Sequence, residues 1–462
     1  MKRRLTNTAQ NLIILLLVIA AVIQTGQLWL GAGSNRSFFY FFDSFSLASA
    51  NTAAASYSFA SPYRIAFGEG DAYIKIKYNG LDESEGKKLC DAVIAECIKS
   101  GEFIARSAIE LSALLKNKYI IYEYAFEMPA ALFTRCYAQR GTALLSQVTA
   151  FDSIVITQDE NDYGAYRLYF INRAENAAYE FFLAAPDSYY SFDTVVSDVV
   201  REPYGIRFAF IGDEPYFTEA AYVPQIPDDG YGFHPVFTRN PYAPGSSASI
   251  YTVEREIDSF FINPIAKSSN IVSGIYTYSD SNTVVKYYTG GLLEYQNFKT
   301  GNRKTDQGLL NDYAAAIGFI GKDPYVVNEY YLAGYKESDG KREFYFDYCI
   351  NDFKIIIPDA LRSDRELGTK HAITVSVELE NVVGYRKIAY AFTVDSELTE
   401  MANRGFDTLI KEVVEPYMLY TDDTEIIQDL EIGYKLEKSS SIYLNWFMRI
   451  NDVNFVSPAQ AW

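Results

Sequence analysis

Gly334-Tyr-Lys336, followed by Glu-Ser-Asp-Gly340 and a strand-like run ending Cys349-Ile-Asn-Asp352, recurs about one hundred residues on as Gly433-Tyr-Lys435, then Lys438-Ser-Ser-Ser441 and a run ending Arg449-Ile-Asn-Asp452. Each copy continues to a proline, Pro358 or Pro458, and each is preceded by a helical pattern, at residues 305–320 and 397–415. A repeated supersecondary unit is therefore expected: helix, strand, tight turn, strand, Asn-Asp turn, strand. Asn and Asp suit a two-residue hairpin loop because both tolerate positive φ. Between the copies, His371 to Glu380 and Gly384 to Val394 alternate as a further hairpin across Asn381. A duplicated meander of this kind is an interaction scaffold more often than a catalytic cradle.

Composition agrees with a β-rich fold. The 462 residues suffice for several cores, and 39 Tyr and 31 Phe against three Trp and five Met favour half-buried aromatic rings on sheets. The net charge of −18 repels phosphate backbones and anionic headgroups, which makes nucleic acid a poor partner. Cys90, Cys97, Cys136 and Cys349 show no C-x-x-C and no regular spacing. Cys90 and Cys97 fall on one face of a helical stretch but about 10 Å apart along it, too far for a disulfide, so buried thiols are expected.

Lys2-Arg-Arg4 precedes twelve unbroken apolar residues, Leu12 to Ile23, and then Gln24-Thr-Gly-Gln-Leu-Trp-Leu-Gly-Ala-Gly33. Roughly twenty residues are available to cross a hydrocarbon core of about 30 Å. The basic end stays in the cytoplasm, so residues 34–462 lie outside. A cleaved signal peptide is the competing reading, with Gly31 and Gly33 as the small residues of its cleavage site. Retention is preferred because Gln24, Gln27 and Trp29 extend the segment as an interfacial helix end does. Gln24 and Gln27, at i and i+3, share a helix face able to hydrogen-bond to a partner helix.

The expected class is α+β: one N-terminal transmembrane helix, then several mostly antiparallel β-rich domains with helices. The segments are 1–33 (cytoplasmic start and span), 34–60 (stalk), 61–222 (N-terminal extracytoplasmic α+β domain), 223–250 (linker), 251–395 (middle β-rich domain with the first repeat unit) and 396–462 (C-terminal domain with the second). The linker holds five of the fifteen prolines. Within 61–222 the patterning predicts a hairpin at 63–67 and 72–78, helices at 83–99, 107–116, 129–138 and 190–200, and strands at 119–126, 152–157, 163–172 and 177–184. After the linker, strands are predicted at 271–278, 283–288 and 292–298.

Reactive constellations are scarce. His234 and His371 are the two histidines, with no His-Glu-x-x-His and no His/Cys cluster, so neither a transition-metal site nor a cofactor is expected. Asp228-Asp229-Gly230 and Asp422-Asp423-Thr-Glu425 lack EF-hand spacing and suit solvated turns. Ser84-Glu-Gly-Lys87, Ser268-Ser-Asn270 and Lys299-Thr-Gly301 match the three short motifs of penicillin-interacting serine enzymes in chain order. Their contexts oppose that reading: Ser84 sits in the charged stretch Asp82-Glu-Ser-Glu85, and Lys299-Thr-Gly301 runs into a polar loop.

The ordered set Gln27-Leu-Trp29, Ser61-Pro-Tyr-Arg-Ile65, Ile257-Asp-Ser-Phe-Phe261, Tyr287-Tyr-Thr-Gly-Gly-Leu-Leu-Glu-Tyr295, His371-Ala-Ile-Thr-Val375 and Val383-Gly-Tyr-Arg386 resembles the YycH family of Gram-positive bacteria, with a YycI-like C-terminal part. Residues 34–60 and the Pro-rich linker depart from that pattern. The resemblance implies a non-enzymatic, single-span membrane protein that sits with a YycI-like protein beside the sensor histidine kinase of the WalK/WalR (YycG/YycF) two-component system, and so affects cell-wall metabolism. On that reading the face carrying Gln24, Gln27 and Trp29 belongs to the partner contact. The alternative is an extracytoplasmic binding module or envelope scaffold.

Overall fold

The structure, a computed structural model, describes residues 55–462 apart from 57, 71–73, 79–84, 110, 138–142, 163, 186–190, 203–206, 212–220, 226–235, 244–249, 299–307, 324–325, 351, 365–366, 395–401, 404–405, 419–426, 451–452 and 462. Residues 56–462 form one unit. The fold is α+β with mostly antiparallel sheets.

Aromatic and β-branched runs in the first half build a nine-stranded sheet. Its strands are β1 (Arg64–Glu69), β2 (Ile74–Tyr78), β3 (Glu102–Ser107), β4 (Lys118–Pro129), β5 (Ala150–Gln158), β6 (Tyr166–Asn172), β7 (Ala177–Leu183), β8 (Arg207–Ile211) and β9 (Ala221–Gln225). They lie in the order β3-β7-β6-β5-β4-β1-β2-β8-β9, each neighbouring pair antiparallel. The helix Glu85–Ser100 packs on β6 and β7, and Phe192–Val200 on β1, β2 and β4. The longer helix buries Leu89, Cys90, Val93, Ile94, Cys97 and Ile98, spaced so that they share one stripe. Each large apolar side chain so removed from water contributes about 1.5–3 kcal/mol. Ser191 caps the shorter helix by accepting from the Thr194 N–H.

The second half contains β10 (Val236–Arg239), β11 (Ser268–Val272), β12 (Ile275–Ser279), β13 (Thr283–Tyr288), β14 (Leu292–Asn297), β15 (Glu329–Ser338), β16 (Lys341–Ile350), β17 (Phe353–Ile356), β18 (Ile373–Glu378), β19 (Asn381–Ile388), β20 (Ala391–Val394), β21 (Ala402–Asn403), β22 (Ile427–Lys435), β23 (Ser441–Ile442), β24 (Leu444–Ile450), β25 (Val453–Pro458) and β26 (Gln460–Ala461). Twelve of them form one sheet, in the order β11-β12-β13-β14-β19-β18-β16-β17-β22-β24-β25 with β15 paired to β16. Strand β16 shows the pattern that makes it a sheet centre. Arg342, Phe344, Phe346 and Tyr348 are buried, while Lys341, Glu343, Tyr345 and Asp347 between them are only partly so. The helix Leu309–Ile320 packs on β16, β18 and β19, burying Leu310, Tyr313, Ala316 and Ile320. Its Tyr313 meets Phe344 edge-on at 5.5 Å between ring centroids.

The first copy of the duplicated unit takes its expected form, and the second keeps the order of its three strands but carries β23 between β22 and β24 in place of the expected tight turn. In the first copy β15, β16 and β17 follow the Leu309–Ile320 helix; in the second, β22, β24 and β25 follow a helical stretch at residues 406–418. The Asp339-Gly340 loop joins β15 to β16 with φ of 52° and 76°, a backbone suited to a tight hairpin. Ile350 pairs with Phe353 around Asn351-Asp352, and Asp352 has φ 63°. The second Asn-Asp pair lies outside the described residues. The copies join where β17 pairs with β22, the one parallel pairing among the described strands.

Other expectations are corrected. The helix expected at 107–116 is confined to Leu111–Leu114, and β3 precedes it. Because β3 is an edge strand with mostly exposed side chains, it carries no alternating apolar signal. The single strand expected at 271–278 is a hairpin, β11 and β12, turned at Ser273-Gly274 with φ of 51° and 79°. At 397–415 the described residues include β21, and the helical part runs from Phe406 through a π-helical stretch, Ile410–Val414, to Met418. Inside the Pro/Gly-rich linker, β10 pairs with β20 and β23. The middle and C-terminal segments share the twelve-stranded sheet.

Aromatic side chains connect the two large sheets. Phe126 of β4 meets Tyr335 of β15 at 5.6 Å, and Tyr63 meets Tyr331 at 5.5 Å. Phe59, fully buried, touches Phe126, Tyr313 and Tyr335 at centroid distances of 5.9, 5.0 and 5.9 Å.

Glycine has a specific use where the copies join. A Cβ on Gly433 would lie 2.8 Å from the Ile356 side chain and 2.9 Å from the Lys354 carbonyl oxygen across the parallel pair. Gly433→Ala is expected to lower unfolding stability by about 1–3 kcal/mol through overpacking. Gly318 provides the opposite case: it lies on the exposed side of its helix, where an added Cβ would meet no atom within 4 Å. Gly318→Ala is expected to gain about 0.4–1 kcal/mol. Urea titration of both variants checks the pair.

Candidate functional site

The residues singled out in the sequence are not brought together. Gln24, Gln27 and Trp29 lie outside the described residues, as do Ser84, Lys299-Thr-Gly301, His234 and both acidic turn clusters. Among the described residues no helix is long and apolar enough to cross a membrane, and no group of three or more His, Cys, Asp or Glu side chains is placed to hold a metal ion. Lys87 is buried on the Glu85–Ser100 helix, whereas Ser268, Ser269 and Asn270 are exposed on β11, the edge of the other sheet. His371 stacks on Tyr345 at 4.7 Å, and its Nδ1 lies 3.1 Å from an Asp347 carboxylate oxygen. That contact, with the Ala372 N–H donating to the other Asp347 carboxylate oxygen at 3.0 Å, holds the residues leading into β18 to β16.

The four cysteines are free thiols. Cys90, Cys97 and Cys349 are buried, and Cys136 is partly exposed. Burial pushes Cys97, Cys136 and Cys349 up to about 12, so they are poor nucleophiles at neutral pH.

The most unusual chemistry of the described residues is a buried ionic cluster that local sequence patterns do not reveal. Lys387 Nζ lies 2.7 Å from Glu256 Oε1 and 2.7 Å from Asp323 Oδ2, and all three side chains are at most 2% exposed. Each comes from a different element. Glu256 belongs to the helix Ile250–Asp258, Asp323 follows the helix Leu309–Ile320, and Lys387 is on β19 between Leu293 of β14 and Ile373 of β18. Tyr242 donates to Glu256 Oε1 at 2.8 Å and Tyr385 to Asp323 Oδ2 at 3.0 Å. Burial, reinforced by Asp323, pushes the Glu256 carboxyl up against the pull of Lys387. Burial alone would pull the Lys387 ammonium down, but Glu256 and Asp323 more than offset it and leave it raised.

The first sheet holds the converse arrangement. Glu123 of β4, 1% exposed, pairs with Arg64 of β1 and, at 3.0 Å, with Arg173. Burial opposes its charge, yet the two guanidiniums win and hold the carboxyl below its ordinary range.

No family profile and no curated protein matches the sequence. Among solved structures the chain is similar to YycH from Bacillus subtilis, at 13% identity over 88% of this chain and 96% of that one, with a TM-score of 0.50. It is more distantly similar to an uncharacterized protein from Eubacterium rectale, at 10% identity over 54% of this chain and 89% of that one with a TM-score of 0.32, and to the C-terminal domain of Bacillus megaterium YpeB, at 12% identity over 46% and 92% with a TM-score of 0.21. The resemblance seen in the sequence thus holds at the level of fold, across nearly the full length of the YycH structure.

Two stability measurements follow from the ionic clusters. Lys387→Met leaves two carboxylates buried without their cation and is expected to cost about 3–5 kcal/mol in urea unfolding at neutral pH. Because the folded Glu123 value is depressed, its contribution is present above the ordinary glutamate range and is lost as pH falls through the folded value. The stability gap between wild type and Glu123→Gln is therefore expected to close progressively on acidification, as measured by unfolding across an acidic pH series.

Proposed function

We propose that this protein is a non-enzymatic, membrane-anchored accessory regulator of a sensor histidine kinase of the WalK/YycG type. The observation that carries this reading is the fold shared with YycH over 96% of that structure. The order of sequence motifs, from Gln27-Leu-Trp29 to Val383-Gly-Tyr-Arg386, points the same way.

On this reading residues 1–33 anchor the chain by a single span, the N-terminus is cytoplasmic and the β-rich body works outside the membrane. The partners are the kinase and a YycI-like single-span protein. Regulation is a bias on the kinase's two-state equilibrium, set by contacts that differ between its states. A tenfold effect on output requires a difference of only about 1.4 kcal/mol. The face bearing Gln24 and Gln27 supplies part of that contact within the bilayer, where amide side chains hydrogen-bond across helices, with Trp29 at the outer interface.

A photoreactive residue at position 24 or 27 is expected to crosslink, in cells, to a sensor histidine kinase or a second single-span protein identified by mass spectrometry. Replacing residues 12–30 with an unrelated span is expected to abolish the effect on kinase output while leaving the protein in the membrane fraction. No crosslink to either partner class, together with an outer body recovered free of its first 33 residues, would overturn the proposal and favour a secreted binding module.

A further inference from the structure

A sheet's outermost strand offers its outer N–H and C=O groups to any passing strand, and proteins blunt such edges with charge, proline or a bulge. In the two large sheets, β3 carries Glu102, Arg106 and a bulge between Phe103 and Ala105, while β9 and β25 contain Pro224 and Pro458. Strand β11 has none of these devices. Its residues, Ser268-Ser-Asn-Ile-Val272, are all exposed and uncharged, and they pair in unbroken register with β12. Among the described strands β11 has no partner on its other side. Ile271 and Val272 are 60% and 58% exposed, and Ile262 and Ile265, on the segment leading into the strand, 94% and 96%.

The direction of the open hydrogen-bonding groups follows from the hairpin. The turn at Ser273-Gly274, with both φ positive, makes Val272 and Ile275 the closing hydrogen-bonded pair. The Thr289 N–H donates to the Gly274 carbonyl, so alternate residues of β12, beginning with Gly274, face β13 and those between them face β11. Alternation along β11 therefore turns the N–H and C=O of Ser269 and Ile271 outward, into the open edge.

Charge points to what fills that edge. In a chain of net charge −18 with 22% charged residues, Lys267 is the only charged residue between Asp258 and Asp280, and Asp258 pairs with it. Two copies of the chain repel each other over most of their surfaces, but this strip brings no like charges together.

We propose that β11 is a homodimer edge, on which β11 of a second copy pairs antiparallel about a two-fold axis passing between the two Asn270 residues. In that register Ser269 lies opposite Ile271 of the second copy, and the outward groups of each such pair exchange both of their N–H···O bonds. The Asn270 residues form the intervening non-hydrogen-bonded pair, with Cα atoms about 4.5 Å apart and amide side chains able to donate to and accept from each other. The two hairpins then continue one sheet from copy to copy, an isologous interface that closes at the dimer. The inference goes beyond the kinase reading, since it needs no partner but a second copy.

The test is made on the full chain in detergent micelles, by sedimentation equilibrium and by disulfide trapping. A concentration-dependent dimer is expected. Asn270→Lys, which sets two ammonium groups against each other at the axis, is expected to raise its dissociation constant about tenfold or more. Val456→Lys, the same charge on edge strand β25, is expected to leave it unchanged. Under mild oxidation Asn270→Cys is expected to form an intermolecular disulfide in higher yield than wild type, because its Cα spacing falls within the range of about 4.4–6.8 Å that a disulfide spans. Ser268→Cys and Val272→Cys are expected to stay at the wild-type level, each lying about 14 Å from its own counterpart in this register. A monomer at every concentration, a dimer indifferent to Asn270→Lys, or equal trapping at positions 268, 270 and 272 would each sink the proposal. So would an Asn270→Cys disulfide formed in membranes with a different protein and not with a second copy, which would assign the edge to another strand.

Discussion

Strand β16 is hydrogen-bonded along both edges, and the second half of the molecule depends on how those bonds are shared. One edge is taken by β15 over nearly its whole length. The other is divided: β18 pairs with Lys341 to Phe346, and β17 pairs with Cys349 and Ile350. Buried backbone groups tolerate few unmade bonds, so a strand that changes partner partway along must be flanked by two strands that diverge. One branch leads through β18 and β19 to the hairpins β11 to β14, and the other through β17 to the second copy of the repeat. The buried residues Phe344 and Phe346, against Tyr313 of the overlying helix, fix the face of β16 that points inward and so the register of both branches.

Each large sheet buries charge, and the two solutions differ. In the first, one carboxylate sits between guanidiniums from β1 and from the turn after β6. In the second, one ammonium sits between a carboxylate of the Ile250–Asp258 helix and one just after the Leu309–Ile320 helix. Pairs of this kind contribute little net stability over an apolar core, but they penalise any arrangement that separates the partners. They therefore act as registration marks for β1 against β4, and for the Ile250–Asp258 helix against β19.

Much of the fold was legible in the sequence because its signals are local. The repeat announced itself through turn chemistry, Asp339-Gly340 and Asn351-Asp352, recurring about one hundred residues on as Lys438-Ser-Ser-Ser441 and Asn451-Asp452. The hairpin of β1 and β2, and the three strands β5 to β7, are visible for the same reason. Edge strand β3 escaped because it has no buried face to write an alternating pattern, and the β11–β12 turn escaped because Ser273-Gly274 is flanked by Ile271-Val272 and Ile275-Tyr276, strand formers that read together as one run. Glu256, Asp323 and Lys387 escaped altogether. They belong to separate elements far apart in the chain, and nothing local distinguishes them from solvated charges. The candidate partner residues Gln24, Gln27 and Trp29 stand on sequence alone.

The parallel pairing of β17 with β22 also orders events on the ribosome. Lys354, Ile355 and Ile356 emerge well before Gly433, Tyr434 and Lys435, their eventual partners, have been synthesised. During that interval the first copy of the repeat presents an open strand edge, flanked by apolar residues and lacking its neighbour. Chain elongation at about 5–20 residues per second leaves that edge uncovered for seconds, long compared with hairpin formation. A nascent chain of this design is most vulnerable to mispairing late in its synthesis, and a transcript that ends before the second copy would leave the vulnerability permanent.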